Sequence, residues 1–239
     1  MSQSLEAPAH PKKSDAFSIV QIHDLAGAYR IARLRYEVYV SERNQEVDGV
    51  CHRRKVIVDP FDVHPATTLF GAIDPKGDLI GTIRISVLTP DELPYDLANL
   101  LHVQKWESMQ ISMAAYVSRC VVVDKWRGGE VSRELFASGY ASVLQSGADF
   151  IVCVASEGLA PHYERLGFVK YAETVSASDG HIRHALVLPS KAVSYLKRKG
   201  SLFGKVAVDL GVPDSPPELH DVFWRQFGLE YSSTMGAIA

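Results

Sequence analysis

Residues 115–136 read AYVSRCVVVDKWRGGEVSRELF, and this stretch decides the fold. Val121-Val122-Val123 closes a near-continuously apolar run, the pattern of a strand covered on both faces. Arg119 stands in the middle of that run, and a buried strand tolerates such a charge only when it is paired. Asp124-Lys125-Trp126-Arg127-Gly128-Gly129 then makes a glycine-bearing turn. From about 130 to 145, Val131, Leu135, Phe136, Tyr140 and Val143 line one side of an amphipathic helix. Residues 149–155 are a second apolar strand, so 115–155 is a βαβ unit with parallel strands and a right-handed crossover. Its turn exposes backbone N–H groups at the positive end of a helix dipole, which suits a phosphate or pyrophosphate; a tight turn without a ligand is the plain alternative.

Upstream, 17–22 alternates like a strand and Asp24 is placed to cap a helix from Leu25 to about Arg43. Residues 44–66 carry no periodicity and hold Asp48-Gly49, Asp59-Pro60 and His64-Pro65, a long connection of the kind that carries function. Residues 67–73 and 79–88 are two strands joined across a turn at 74–78. In the second, Thr82, Arg84 and Ser86 share one face, so Arg84 points away from the isoleucine row. A short helical pattern lies around 91–101. Downstream come a short helix at 159–166 and a strand opened by Gly167-Phe168 that pairs across 176–180 with 182–188. A basic helix then runs to about Lys199, and a last amphipathic piece covers 218–227.

A chain of 239 residues with 46% hydrophobic and 22% charged residues is long enough to bury a substantial core. Its net charge of −3 argues against a general nucleic-acid binder. No stretch has the roughly 18 apolar residues of a membrane span, and residues 1–16 lack an apolar signal core, which gives the expectation of a cytoplasmic protein. Cys51, Cys120 and Cys153 are an odd, widely spaced set, read as free thiols in a reducing compartment. No Cys-x-x-Cys or Gly-x-Ser-x-Gly occurs. His181 and His184, three apart on a strand, point to opposite faces, and no metal site is expected.

The run from Val121 to Phe136, followed by Tyr163-Glu164-Arg165-Leu166-Gly167-Phe168, resembles the two signature motifs of the GNAT acyltransferase superfamily. The resemblance implies that Val121, Val123, Arg127, Gly128 and Gly129 hold the diphosphate end of an acyl donor, and that Tyr163 protonates the departing thiolate. The superfamily's small first-turn glycines are replaced here by Glu130 and Ser132, and a carboxylate at that position repels a bound pyrophosphate.

Leu34-Arg35-Tyr36-Glu37-Val38-Tyr39-Val40-Ser41-Glu42-Arg43, Asp59-Pro60-Phe61-Asp62, Gly81-Thr82-Ile83-Arg84 and Ser118-Arg119 occur in that order. Over about 17–188 they look like the GNAT-related autoinducer synthases and N-acyl amino acid synthases. The resemblance implies an α/β (α+β) fold: one GNAT-like three-layer domain over 17–188, its central mixed, twisted sheet flanked by helices. A disordered leader over 1–16 and a C-terminal basic helix and extension over 189–239 complete the expectation. Tyr116 stands where homoserine-lactone synthases carry glutamate, and no Trp precedes Trp106, which favours N-acyl amino acid synthesis or the related acyltransferases of surface-protein sorting systems. His64, two residues after Asp62, resembles that last group.

The implied reaction moves a medium or long acyl group from acyl carrier protein, or from acyl-CoA, to the amine of an amino acid or similar small acceptor. The acyl thioester is a co-substrate, and no tightly bound cofactor is expected. Arg84, Arg119, Asp59, Asp62 and Tyr163 are the expected catalytic residues, and Arg35, Tyr39, Tyr116 and Ser118 the substrate-binding ones. A guanidinium fork suits an acceptor carboxylate, and Asp59, Asp62 or a water they hold is placed to take the amine proton. Acyl carrier proteins are acidic, and 190–205 holds Lys191, Lys197, Arg198, Lys199 and Lys205 without one acidic residue, with Arg53-Arg54-Lys55 a second cluster. An acetyl-CoA acetyltransferase, an acyl-homoserine-lactone synthase and a non-catalytic acyl-binding module are the competing readings.

Overall fold

The structure, a computed structural model, describes residues 13–14, 16–45, 47–177 and 180–215. In chain order the first elements are β1 Lys13–Ser14, β2 Phe17–Ile22, α1 Leu25–Tyr36, β3 Val50–Cys51, β4 Val56–Ile57, β5 Thr67–Ile73 and β6 Leu79–Leu88. Then follow α2 Tyr95–Leu100, β7 Ala114–Val122, α3 Glu130–Ser146, β8 Phe150–Ser156 and α4 Ala160–Leu166. The last are β9 Val169–Lys170, β10 Val175–Ser176, β11 Ile182–Pro189, α5 Val193–Arg198 and α6 Leu202–Asp209. They fall into two compact units, one of the residues up to Arg84 with Arg119–Gly139, the other of Ile85–Ser118 with the described residues from Tyr140 on.

In the first unit β1 and β5 pair antiparallel with β2, and β6 follows β5 in the strand order. The turn between β5 and β6 is built by Asp74, whose Oδ1 accepts from the N–H groups of Lys76 (2.9 Å) and Asp78 (3.0 Å). The end of β7 is tied in by the Val123 N–H, which donates to the Ile80 carbonyl at 3.0 Å. Asp24 caps α1 as expected, its Oδ1 accepting from Gly27 N at 2.6 Å. Leu34 and Val38 bury against Val121, with Tyr39, Leu79 and Val123 packed around them. The helix does not stay α-helical to Arg43: from Glu37 to Glu42 it widens to a π-helix. Such π-turns are local and leave no periodic signature in a sequence.

The 44–66 connection is also more ordered than its lack of periodicity suggests. Strands β3 and β4 form a separate two-stranded hairpin, and Pro60–Val63 is a 3-10 turn. Two-residue strands are too short to show alternation. Gly49 enters this hairpin at φ +83°, and a Cβ there would lie 2.0 Å from the Val58 carbonyl oxygen, so only glycine fits.

In the second unit β7 runs parallel to β8 in the register Ala114↔Phe150 to Tyr116↔Val152, the parallel step expected of the βαβ unit. β8 pairs antiparallel with β11 over seven residues, from Pro189↔Phe150 to Arg183↔Ser156, and β9 and β10 pair with β11. The fold is thus α/β with a mixed sheet, as anticipated, and most of its pairing is antiparallel. Helix α6 was not anticipated: it is eight residues long, too short for the recurrence of Leu202, Phe203, Val206 and Ala207 to stand out as a helical period. It packs on α5, and Phe203 stacks on Tyr140 at 4.4 Å while the Tyr140 hydroxyl donates to the Ser190 carbonyl at 2.6 Å. The expected piece at 218–227 lies outside the described residues, as does most of 1–16, although Lys13–Ser14 pairs with β2. Among the described residues no helix is long and apolar enough to cross a membrane.

Gly49→Ala is expected to lower stability by roughly 1–3 kcal/mol, the cost of forcing a side chain into a left-handed position. Urea denaturation of the two proteins reads this directly, and an unchanged midpoint would show that the hairpin accommodates the methyl group.

Candidate active site

Five of the residues singled out from the sequence meet in one buried cluster within the first unit. Asp59 caps the Pro60–Val63 turn and Asp62 lies within it. Asp59 Oδ1 accepts from Phe61 N at 3.0 Å, and Asp62 N donates to the Asp59 carbonyl at 2.9 Å, so backbone bonds orient both carboxylates. Arg35, from the last turn of α1, places Nη1 2.6 Å from Asp62 Oδ2. Arg84, from β6, places Nη1 2.9 Å from Asp59 Oδ1 and 3.1 Å from Asp62 Oδ1, with its guanidinium over the Phe61 ring at 5.2 Å. Arg119, from β7, bonds Asp59 Oδ2 through Nη2 at 3.0 Å and Nε at 3.3 Å, and lies 6.0 Å from the centre of the Tyr39 ring.

The three arginines differ in access. The side chains of Arg35 and Arg84 are 0% and 2% exposed, against 17% for Arg119. Arg35 keeps Nε and Nη2 buried without a hydrogen-bond partner among the described residues. Burial pulls its pKa below the usual arginine value; Asp62 opposes that shift and the charges of Arg84 and Arg119 add to it. Burial by itself would raise Asp59, but the hydrogen bond and charge of Arg84 and the charge of Arg119 outweigh it and bring Asp59 down to about 2. Arg119 adopts φ +53° in mid-strand, a left-handed conformation that a non-glycine residue holds only when its surroundings impose it.

The glycine turn is also in the first unit. Gly128 has φ +70°, and a side chain at either Gly128 or Gly129 would meet no close neighbour, so the backbone there is open to a ligand. Val121 is buried in the α1 core, and the Val123 N–H is spent on Ile80. Arg127 donates to the Val122 carbonyl, Asp124 and Glu42.

In the second unit Tyr163 sits on α4, 9% exposed, its ring edge-on to Phe168 at 5.5 Å and to His162 at 5.9 Å. Tyr116 and Ser118, on β7, are half-buried. His64 caps its turn through Nδ1 to Ala66 N at 3.3 Å, with its ring on Phe61. Burial pushes the Cys120 thiol up to about 12 and Cys153 well above its usual value, so neither is a ready nucleophile. Among the described residues no group of three or more His, Cys, Asp and Glu is placed to hold a metal ion. Sequence reasoning did not single out Phe61, which lies under Arg84, or Glu42, which holds Arg127. Phe61 stands between the two aspartates, a position that was a usable signal.

A mixed sheet with one parallel βαβ step and an open glycine turn leading into a helix is the fold of GNAT-like acyltransferases. The CoA-dependent acyl-homoserine lactone synthase BjaI, solved with MTA, shares it at a TM-score of 0.60 and 16% identity, over 86% of this chain and 98% of that one. FeeM, an N-acyl amino acid synthase from uncultured soil microbes, gives 0.56 and 18% over 79% and 97%. An acyl-CoA N-acyltransferase from Pseudomonas aeruginosa gives 0.52 and 20% over 72% and 99%. At these identities the likeness establishes the fold. No curated protein matched the chain. The chain belongs to the N-acyl amino acid synthase FeeM family, which matches residues 30–186, and the protein is an acyltransferase.

Asp59→Asn leaves Arg84 and Arg119 short of their shared anion and is expected to cost about 3–5 kcal/mol in urea denaturation, as for a broken buried pair. Because its folded pKa of about 2 lies below the ordinary 3.8, Asp59 adds roughly 2 kcal/mol that is fully present above about pH 4 and is lost as the pH falls through 2. The wild-type urea midpoint should therefore drop over that window more steeply than that of Asp59→Asn; parallel curves would refute the assignment.

Proposed function

We propose that the protein transfers a medium or long acyl chain from an acyl carrier protein thioester to the amine of an amino-acid-like acceptor, whose carboxylate sits beside Arg119. The observation that carries this reading is the cluster of three guanidinium groups around two carboxylates, which leaves one positive charge in excess. Arg35 and Arg84 are sealed, so Arg119 is the member that reaches solvent, and its fork suits a carboxylate.

In the reaction the acceptor's amine attacks the thioester carbonyl, a C–N bond forms, the C–S bond breaks, the ammonium gives its proton to solvent water and the thiolate gains one from a donor in the protein. Holding both reactants in place supplies on the order of 7–11 kcal/mol, and one well-placed proton donor roughly 10²–10⁴-fold. Tyr163 is the proposed donor to the thiolate. Asp59, held near 2, is too weak a base to take the ammonium proton, so this reading gives it the task of fixing Arg84 and Arg119, while Asp62 holds Arg35 and Arg84.

Charge around the glycine turn supports a carrier-protein donor. Glu42, Asp124 and Glu130 stand against Lys125 and Arg127, a net negative surrounding that disfavours the several phosphates of CoA more than the single phosphodiester of a carrier-bound pantetheine arm. Lys197, Arg198 and Lys199 are exposed around the end of α5, where an acidic carrier protein would dock; Lys191 is partly drawn to Asp149 at 3.8 Å.

Purified protein given long-chain acyl carrier protein and mixed amino acids is expected to release free thiol well above background. Absence of release with both this donor and long-chain acyl-CoA overturns the reading, and release with acetyl-CoA alone reassigns the protein to acetyl transfer. Arg119→Ala is expected to raise the acceptor KM by about ten- to a hundredfold. Reversing Lys197, Arg198 and Lys199 to glutamate should raise the carrier-protein KM and flatten its salt dependence while acyl-CoA kinetics stay unchanged; an unaltered carrier KM places the docking surface elsewhere.

A further inference from the structure

One guanidinium joins the glycine turn to the element that carries the charge cluster. Arg127 donates from Nε to the Val122 carbonyl at 2.8 Å and from Nη1 to Asp124 Oδ1 at 2.7 Å, and both partners are local. From Nη2 it reaches Glu42 Oε2, 85 residues upstream. Glu42 is the last residue of the π-helical turn that continues α1 through Tyr36 without leaving helical conformation. Arg35, Tyr39 and Glu42 therefore ride on one rigid element: the first bonds Asp62, the second lies against Arg119 and the third holds Arg127. The Glu42 and Arg127 side chains are 24% and 27% exposed, whereas Asp124 is 83% exposed, so the long-range bond is the one that water weakens least.

We propose that Glu42 is a positioning residue. By holding Arg127 it fixes the 123–129 turn against the helix that bears Arg35 and Tyr39, so that the N–H groups of Gly128 and Gly129 meet the donor's phosphate in a single geometry relative to the acceptor side. Arg127 is the clasp in this arrangement and not a phosphate ligand: each of its three nitrogens already donates one hydrogen bond, and two carboxylates outweigh its charge. The inference rests on the reading of the turn as the donor's phosphate site. It adds to that reading the residue that sets the turn's position.

Hydrogen exchange on the full chain tests the clasp without any donor. Glu42→Gln is expected to speed exchange at least roughly tenfold in residues 37–43 and 123–129 while leaving 193–209 at wild-type rates; unchanged exchange in the turn overturns the proposal. Kinetics with a long-chain acyl-CoA supplies the second arm. Glu42→Gln and Arg127→Gln should each raise the donor KM roughly tenfold with little change in kcat, and the double variant should be no worse than either, because both break one link. Arg127→Lys keeps the charge but not the three-way contact and should resemble Arg127→Gln. If Arg127 bound phosphate directly, Glu42→Gln would free it and lower the donor KM, and Arg127→Lys would keep most affinity; that result overturns the clasp. Equal wild-type KM values for acyl-CoA and phosphate-free acyl-pantetheine, or no turnover of either, would instead refute the phosphate reading of the turn, with the exchange result still deciding the clasp.

Discussion

Two carboxylates in one short turn are shared by three guanidinium groups from α1, β6 and β7, and nearly everything in the first unit is arranged around that sharing. A charge of this kind is costly to bury, and the cost is offset only if each ion finds partners in good geometry. The Pro60–Val63 turn meets the requirement by orienting both aspartates with its own backbone bonds, Asp59 to Phe61 N and Asp62 N to the Asp59 carbonyl. Arg84 bridges the two carboxylates, and its flat face rests on Phe61. Arg35 is the least satisfied member, with one strong bond to Asp62 and two buried nitrogens left without a partner among the described residues, each costing about 1–3 kcal/mol. Well-packed hydrophobic side chains in the same places would be as stable or more so. Stability alone is therefore a poor reason for the cluster, whereas placing a partly open Arg119 beside two sealed cations is a result that no apolar core can give.

The same constraint accounts for the backbone of β7. Arg119 leaves the extended region at φ +53°, a departure that costs on the order of 1–3 kcal/mol and persists only where neighbours over-determine it. Two bonds to Asp59 Oδ2 and the Tyr39 ring do that here. From the sequence, Arg119 in an apolar strand announces that a partner must exist, but the partner is 60 residues away and the conformation follows from the contact. No local pattern encodes it.

Much of the remainder was readable, and the reason is periodicity. β2, β5 and β6 begin and end where alternation begins and ends, Asp24 caps α1, and the apolar run with its glycine turn marks β7, α3 and β8. What escaped was too short or set by distant contacts: the β3–β4 hairpin, the eight-residue α6 and the π-turn at Glu37–Glu42. The cluster itself was legible as a set of residues, through their order along the chain, but not as a wiring diagram. That Arg84 bridges both aspartates while Arg35 takes only one depends on where β6 and α1 stand, and spacing does not carry that information.

The glycine turn shows how far a shared fold reaches and where local charge takes over. Structures of the same architecture include a CoA-dependent homoserine lactone synthase and an N-acyl amino acid synthase, and the shared fold by itself names no donor for this chain. In the reading proposed above, the choice falls to the few charges around the turn, because a helix N-terminus and two open glycines offer N–H groups to any phosphate alike. In this chain the one arginine of the turn is already held by Glu42 and Asp124, and Glu130 opens the helix. On the proposed carrier-protein reading, a turn so wired has little attraction left for a multiply charged ligand, and the affinity would come from the acyl chain, the pantetheine arm and the carrier. That distribution of binding energy is what a carrier-protein substrate supplies, since the carrier brings a surface of its own.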